Sequence, residues 1–368
     1  MPTTLHIATR KGVFQVTRQG ASWKIASAHF LGDNMSIVTP DPRDGSLHVA
    51  LDLGHFGVKL HRSRDDGATW EERPAPAFPK QPDDIVSVDG FGKPLPWKVT
   101  KIWALEPGHA SEPGVLWCGT IPGGLFYSTD GGDSWNFVQS LWDHPLRKNW
   151  FGGGADLPGI HSICVHPANP KHITVGVSCG GVWVTRDGGA TWDCQADGMR
   201  AEFMPPERMG DPSIQDPHRV VQCRGNPDHL WAQHHNGIFR TTDCAKSWHE
   251  LTNVLPSPFG FAVAVHPADP LTAWFIPAIK DERRIPVDGK LVVTRTRDGG
   301  KSVETLRAGL PQEHAYDIVY RHALDIDAVG TTLAFGSTTG SLYVSENQGD
   351  DWQCVAEHLP PIHGVRFG

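Results

Sequence analysis

No apolar run in the 368 residues approaches the roughly 18 needed to span a bilayer as a helix, so no helical transmembrane segment is expected. The opening MPTTLHIATR lacks a basic segment, an apolar stretch and a small-residue cleavage site, which points to a soluble, cytoplasmic protein. Basic charge is scarce as well. Lys and Arg number 33 against 41 Asp and Glu, a formal charge of −8, and an acidic surface disfavours nucleic acid or an anionic membrane as the main partner. The seven cysteines, at 118, 164, 179, 194, 223, 244 and 354, are odd in number and contain no CxxC pair. They fit reduced thiols rather than a disulfide framework or a thiolate zinc site.

What is abundant is turn chemistry and indole. Gly and Pro make up 70 of 368 residues, well above the roughly 12% of average usage, and they accompany 14 Trp and 39% apolar residues. Such a chain can bury a large core if its ordered elements are short and many. One octapeptide recurs: SRDDGATW at 63–70, STDGGDSW at 128–135 and TRDGGATW at 185–192. Weaker copies are TTDCAKSW at 241–248, TRDGGKSV at 296–303 and SENQGDDW at 345–352, with a worn VTRQGASW at 16–23.

The pattern S/T-x-D-x-G-x-S/T-W resembles the Asp-box, or BNR repeat, found in sialidases, sortilin-type receptors and photosystem II assembly factors. Its chemistry is local: the Asp caps backbone N–H groups of a tight turn, the Gly takes a positive φ, and the Trp packs between neighbouring sheets. Each full copy follows two apolar runs split by a Gly-bearing loop, as in HITVGVSCGGVWVTRD, and a third run precedes them, as in HSICVHPANP. One repeat therefore reads as four antiparallel strands, labelled A to D outward, with the box between C and D; units of this size and content are propeller blades.

The expectation is an all-β, seven-bladed β-propeller in one domain over residues 1–368. The last blade is shared by residues 1–30 and 360–368, with the C-terminal strand A closing the ring onto the N-terminal B, C and D. A-strands are expected to begin near Asn34, Lys101, His161, His218, Phe261, His322 and His363, so four of seven equivalent positions are His. His166 and His266, each before a Pro, read instead as residues of the A-to-B turn.

The mouth carrying the A-strand starts also receives the B-to-C loops and D-to-A connections. These bring His55, His234, His235, Arg10, Arg284, Asp216, Tyr316, Asp317 and Arg321. Imidazoles there suit a divalent metal such as Zn, Mn, Cu or Fe, and His161, His218, His235, His322 and His363 are the candidate ligands. The alternative is a polar lining without ligand chemistry.

Arg10, Arg284 and Arg321 could clamp a carboxylate, with His234 as a further substrate contact. The sialidase resemblance implies a Tyr nucleophile activated by a carboxylate, for which Tyr316 with Asp317 is the candidate pair, and a lyase resemblance implies a base, for which Lys101 or His55 is the candidate. A sialidase resemblance implies an Arg-Ile-Pro motif ahead of the first box, but Arg284-Ile285-Pro286 follows four boxes, which speaks against sialidase activity. Oligogalacturonate lyases look similar in outline, and that resemblance implies a metal-assisted proton abstraction beside a uronate carboxylate. Two classes of function follow: a hydrolase or lyase acting on a small anionic or carbohydrate-like substrate, or a non-catalytic platform for a protein partner, with loop 142–151 as its surface.

Overall fold

The computed structural model describes residues 4–153 and 155–368. Among the described residues twenty-eight strands form seven four-stranded antiparallel sheets. The blades run in chain order, from blade one, with inner strand Met35–Pro40, to blade six, with inner strand Leu324–Ile326. Blade seven is assembled from both parts of the chain, in the order Ile362–Phe367, Thr4–Thr9, Gly12–Gln19, Ser22–His29. Closure thus follows the expected route. Among the described residues no helix is long and apolar enough to cross a membrane.

The octapeptide turns share one hydrogen-bond scheme. In blade three, the Asp187 carboxylate accepts from the Thr185 and Thr191 hydroxyls and the Thr191 N–H, while the Thr185 hydroxyl oxygen accepts from the Gly189 N–H. The same set recurs at Asp65, Asp130, Asp243 and Asp298, and Asn347 takes the Asp position in blade six. Two successive residues of each turn take positive φ, for example Gly188 and Gly189, where the sequence pattern marks only the second as glycine. Thr185 is buried, so Thr185→Val keeps the shape but orphans the Gly189 N–H. That substitution is expected to cost about 1–3 kcal/mol in urea unfolding.

Six inner strands carry a β-bulge where they start. Register shifts leave Ser36, Trp103, His161, His218 and His363 without a partner on strand B, and a corresponding shift in blade five contains Phe261. A bulge re-aims the side chain of the extra residue, and here it does so at the same level around the ring. Asn34 and Lys101 therefore precede the position equivalent to His161 by two residues; Ser36 and Trp103 occupy it.

Candidate functional site

The bulged residues meet across blades. Trp103 packs edge-on against His161 with ring centroids 5.3 Å apart, and His218 stacks on Phe261 at 4.5 Å. Arg321, from the connection into blade six, lays its guanidinium 4.7 Å from the Trp103 ring centroid and 5.6 Å from that of Phe261. Because Trp103 belongs to blade two and Phe261 to blade five, Arg321 crosses the channel. It is 6% exposed, and its Nε and Nη2 have no hydrogen-bond partner among the described residues. Burial lowers its pKa; Asp216 opposes that effect and Arg284 adds to it.

Beside Arg321 a pocket of about 140 Å³ opens among blades three, four and five. Asp216, His218 and His235 form its polar wall, with Arg284 and Asp281 at the rim and Phe151, Phe203 and Phe261 around them. Asp216 and His218 start blade four, and His235 follows strand Leu230–His234 in the same blade. Asp216 Oδ2 lies 3.4 Å from His218 Nε2 and 3.5 Å from His235 Nδ1. Its other oxygen accepts from Ser178 Oγ and the Cys179 N–H, so the carboxylate is fixed from behind.

Burial would raise the Asp216 pKa, but its hydrogen bonds with His218 and His235 and the nearby positive charges hold it well below the ordinary carboxylate value. For His218, the more deeply buried of the two, burial wins and its pKa falls; for His235, more open to the pocket, burial is outweighed by Asp216 and its pKa rises.

The five candidate metal-binding histidines separate. His218 and His235 come together with Asp216, whose side chain the sequence placed at the mouth without a ligand role. His161 and His322 instead fill the channel: His322 Nε2 donates to the His161 carbonyl, and His161 Nδ1 pairs with Ser162 Oγ. His363 Nδ1 bonds the Met35 carbonyl. His161, His322 and His363 belong to no three-residue metal-ligating group among the described residues.

His234 is wholly buried, and its Nε2 accepts the Asp216 N–H, so it reaches the pocket only through Asp216. Lys101 stands across the channel, where burial lowers its pKa while Asp52 raises it and Arg321 lowers it further. Arg10 is exposed near His363.

Of the remaining candidates, Arg284 alone lines the pocket. His55 is exposed, its ring tilted against that of Phe56 with centroids 3.9 Å apart. Asp317 is buried and accepts from the Ser337 and Thr339 hydroxyls at 2.7 and 2.5 Å, whereas Tyr316 is 57% exposed. Of the arginine trio, Arg284 pairs with Asp281 at 2.6 Å at the pocket rim and Arg321 lies within the channel. His166 and His266 cap their turns as read, each Nδ1 accepting a backbone N–H. Loop 142–151 exposes Asp143, Pro145, Leu146 and Lys148 between the buried Trp142 and Trp150, and Arg147 stacks on Trp142 at 3.7 Å.

No family model matches the chain. It is 23% identical, over 93% of its length, to an oligoxyloglucan-reducing end-specific xyloglucanase of Emericella nidulans, of which it covers 42%. Among solved structures it resembles the GH74 xyloglucanase from Xanthomonas campestris, with a TM-score of 0.67, 18% identity, and coverage of 97% of this chain and 53% of that one. YCF48 bound to D1 peptide gives a TM-score of 0.52 at 14% identity, with coverage of 87% of this chain and 81% of the other. The chain spans less than half of the curated relative and about half of the GH74 structure. What it shares with the solved structures is the propeller fold.

Proposed function

We propose that this chain is a glycosidase-like hydrolase or a lyase acting on a small anionic or carbohydrate-like substrate at the pocket walled by Asp216, His218, His235 and Arg284, beside the buried Arg321. The observation that carries this reading is Arg321. A buried guanidinium with two unpartnered nitrogens is costly, and an anionic group placed against it would offset that cost. Arg284 adds positive charge at the rim, and the carboxylate and imidazoles of the wall supply the reacting groups. The likeness to a xyloglucanase supports the carbohydrate class, and the small pocket favours a single anionic ring over a polymer chain.

Turnover assays against glycosides, uronides and other sugar acids test the proposal. At least one anionic substrate should be turned over, and Arg321→Met, which keeps the buried volume, should lower kcat/KM by about 10²-fold or more through the lost ion contact. Turnover of neutral substrates alone, unaffected by Arg321→Met, would contradict it. The likeness to peptide-bound YCF48 favours a second reading, a peptide-binding platform, which predicts no turnover across the panel and partner binding that survives Arg321→Met.

A further inference from the structure

We infer that Asp216, His218 and His235 form a divalent transition-metal site at the wall of this pocket. The inference deepens the proposed function, but it rests on separate observations and is tested without substrate. The first is convergence: one ligand atom from each residue lies within 4.8 Å of the others. A tetrahedral centre with bonds of about 2.1 Å has edges of about 3.4 Å. The separations of 3.4 and 3.5 Å from Asp216 Oδ2 to the two ring nitrogens match that edge.

The second observation is the hydrogen bonding around the ligands. His218 Nδ1 lies 2.7 Å from the Gly260 carbonyl oxygen, an acceptor only, so Nδ1 carries the proton. That leaves Nε2 as the nitrogen available to a ligand, and it faces the Asp216 carboxylate at 3.4 Å. A metal ion seated between them would be held by a ring nitrogen and a carboxylate oxygen at once. The outer contacts are those of a metal centre: a backbone carbonyl orients His218, and Ser178 and Cys179 hold the second Asp216 oxygen. The open side faces the pocket, leaving coordination positions for water or a substrate oxygen. Two imidazoles and one carboxylate suit Zn, Mn or Fe(II).

A second cluster, His166, His172 and Cys244, lies at the opposite end of the inner strands. It is less suited to a metal. His166 Nδ1 accepts the Ala168 N–H, which puts the proton of the neutral ring on Nε2, and the Cys244 thiol is committed to Asp228.

The experiment is titration of the chelator-treated full chain with Zn²⁺ and with Co²⁺, read by calorimetry and by the visible absorption of bound Co²⁺. One equivalent is expected to bind at the pocket, with affinity lowered at least about tenfold by Asp216→Asn, His218→Ala and His235→Ala, and unchanged by His166→Ala. His235 is at the pocket edge, so His235→Ala keeps the test valid if the buried variants fail to fold. No binding by the folded wild-type chain, binding that survives His235→Ala, or binding lost in His166→Ala instead would overturn the assignment. Turnover by metal-free protein would leave the proposed function standing and remove only the metal from it.

Discussion

Removing residues 362–368 is expected to leave no folded monomer: the truncated chain should lack a cooperative thermal transition and elute as aggregate. Strand Ile362–Phe367 is the inner strand of blade seven, and without it Thr4–Thr9 becomes an exposed edge at the wall of the channel. Ile362 and Val365 are fully buried, and losing them alone forfeits about 3–6 kcal/mol. The strand also ties distant blades together. Its backbone N–H groups reach Ser337, His322 and Asp325, and Arg366 meets Glu106 of blade two at 3.1 Å. A circular permutant joining residue 368 to residue 4, with new termini in the 254–257 loop, should melt within a few degrees of the parent, because it keeps every ladder. A truncated chain with a native-like melting transition would show that closure is dispensable.

Acid is expected to unfold the protein between about pH 6.5 and 4. His6 and His48 are buried, and burial lowers each pKa to about 4, against an ordinary value of 6.5. His161 and His322, enclosed in the channel, are also held well below 6.5, by burial first and then by guanidinium charge from Arg321 and Arg219 at His161 and from Arg219 and Arg366 at His322. The folded state holds all four neutral, so below pH 6.5 the unfolded chain takes up protons that the folded chain refuses. Stability is therefore fully present above pH 6.5 and declines as pH falls toward 4. His6 and His48 each contribute about 3 kcal/mol over that interval, which together is comparable to the whole stability of an ordinary domain.

The turn carboxylates titrate later. Hydrogen bonds from the box hydroxyls and N–H groups hold Asp65 and Asp298 near 2, so their support is lost only below the ordinary carboxylate value of 3.8. Tryptophan fluorescence against pH should show the main transition above pH 4, and His6→Gln/His48→Gln should move it to lower pH. A single transition near pH 3, unmoved by that double substitution, would point to the carboxylates instead.

The sequence alone carried the blade count, the closing strand and the turns, because these rest on local signals: a spaced octapeptide, alternating apolar runs and a chain that begins on a B-strand. The A-strand starts were legible to within two residues. Bulges account for that error, since they insert a residue without changing the hydrophobic pattern, so Trp103 was passed over for Lys101. Asp216 was placed at the mouth, but its pairing with His218 and His235 depends on where strands A and B of blade four end relative to one another. Spacing does not encode that. The Tyr316 and Asp317 pair failed to appear as neighbours in one arrangement because adjacent residues in an extended loop point apart, one to Ser337 and Thr339 and the other to solvent. Arg321 was noticed for its charge; its lack of partners became visible only with the surrounding rings in place.

The six bulges also bear on how such a ring can change. Each presents one residue outside the backbone ladder, and the set already spans Ser36, Trp103, His161, His218, Phe261 and His363, from hydroxyl to indole. A substitution there leaves strand pairing intact and alters only what the channel displays. The scaffold thus separates inheritance of shape from inheritance of chemistry, and a new specificity could be reached by single replacements at one repeated address.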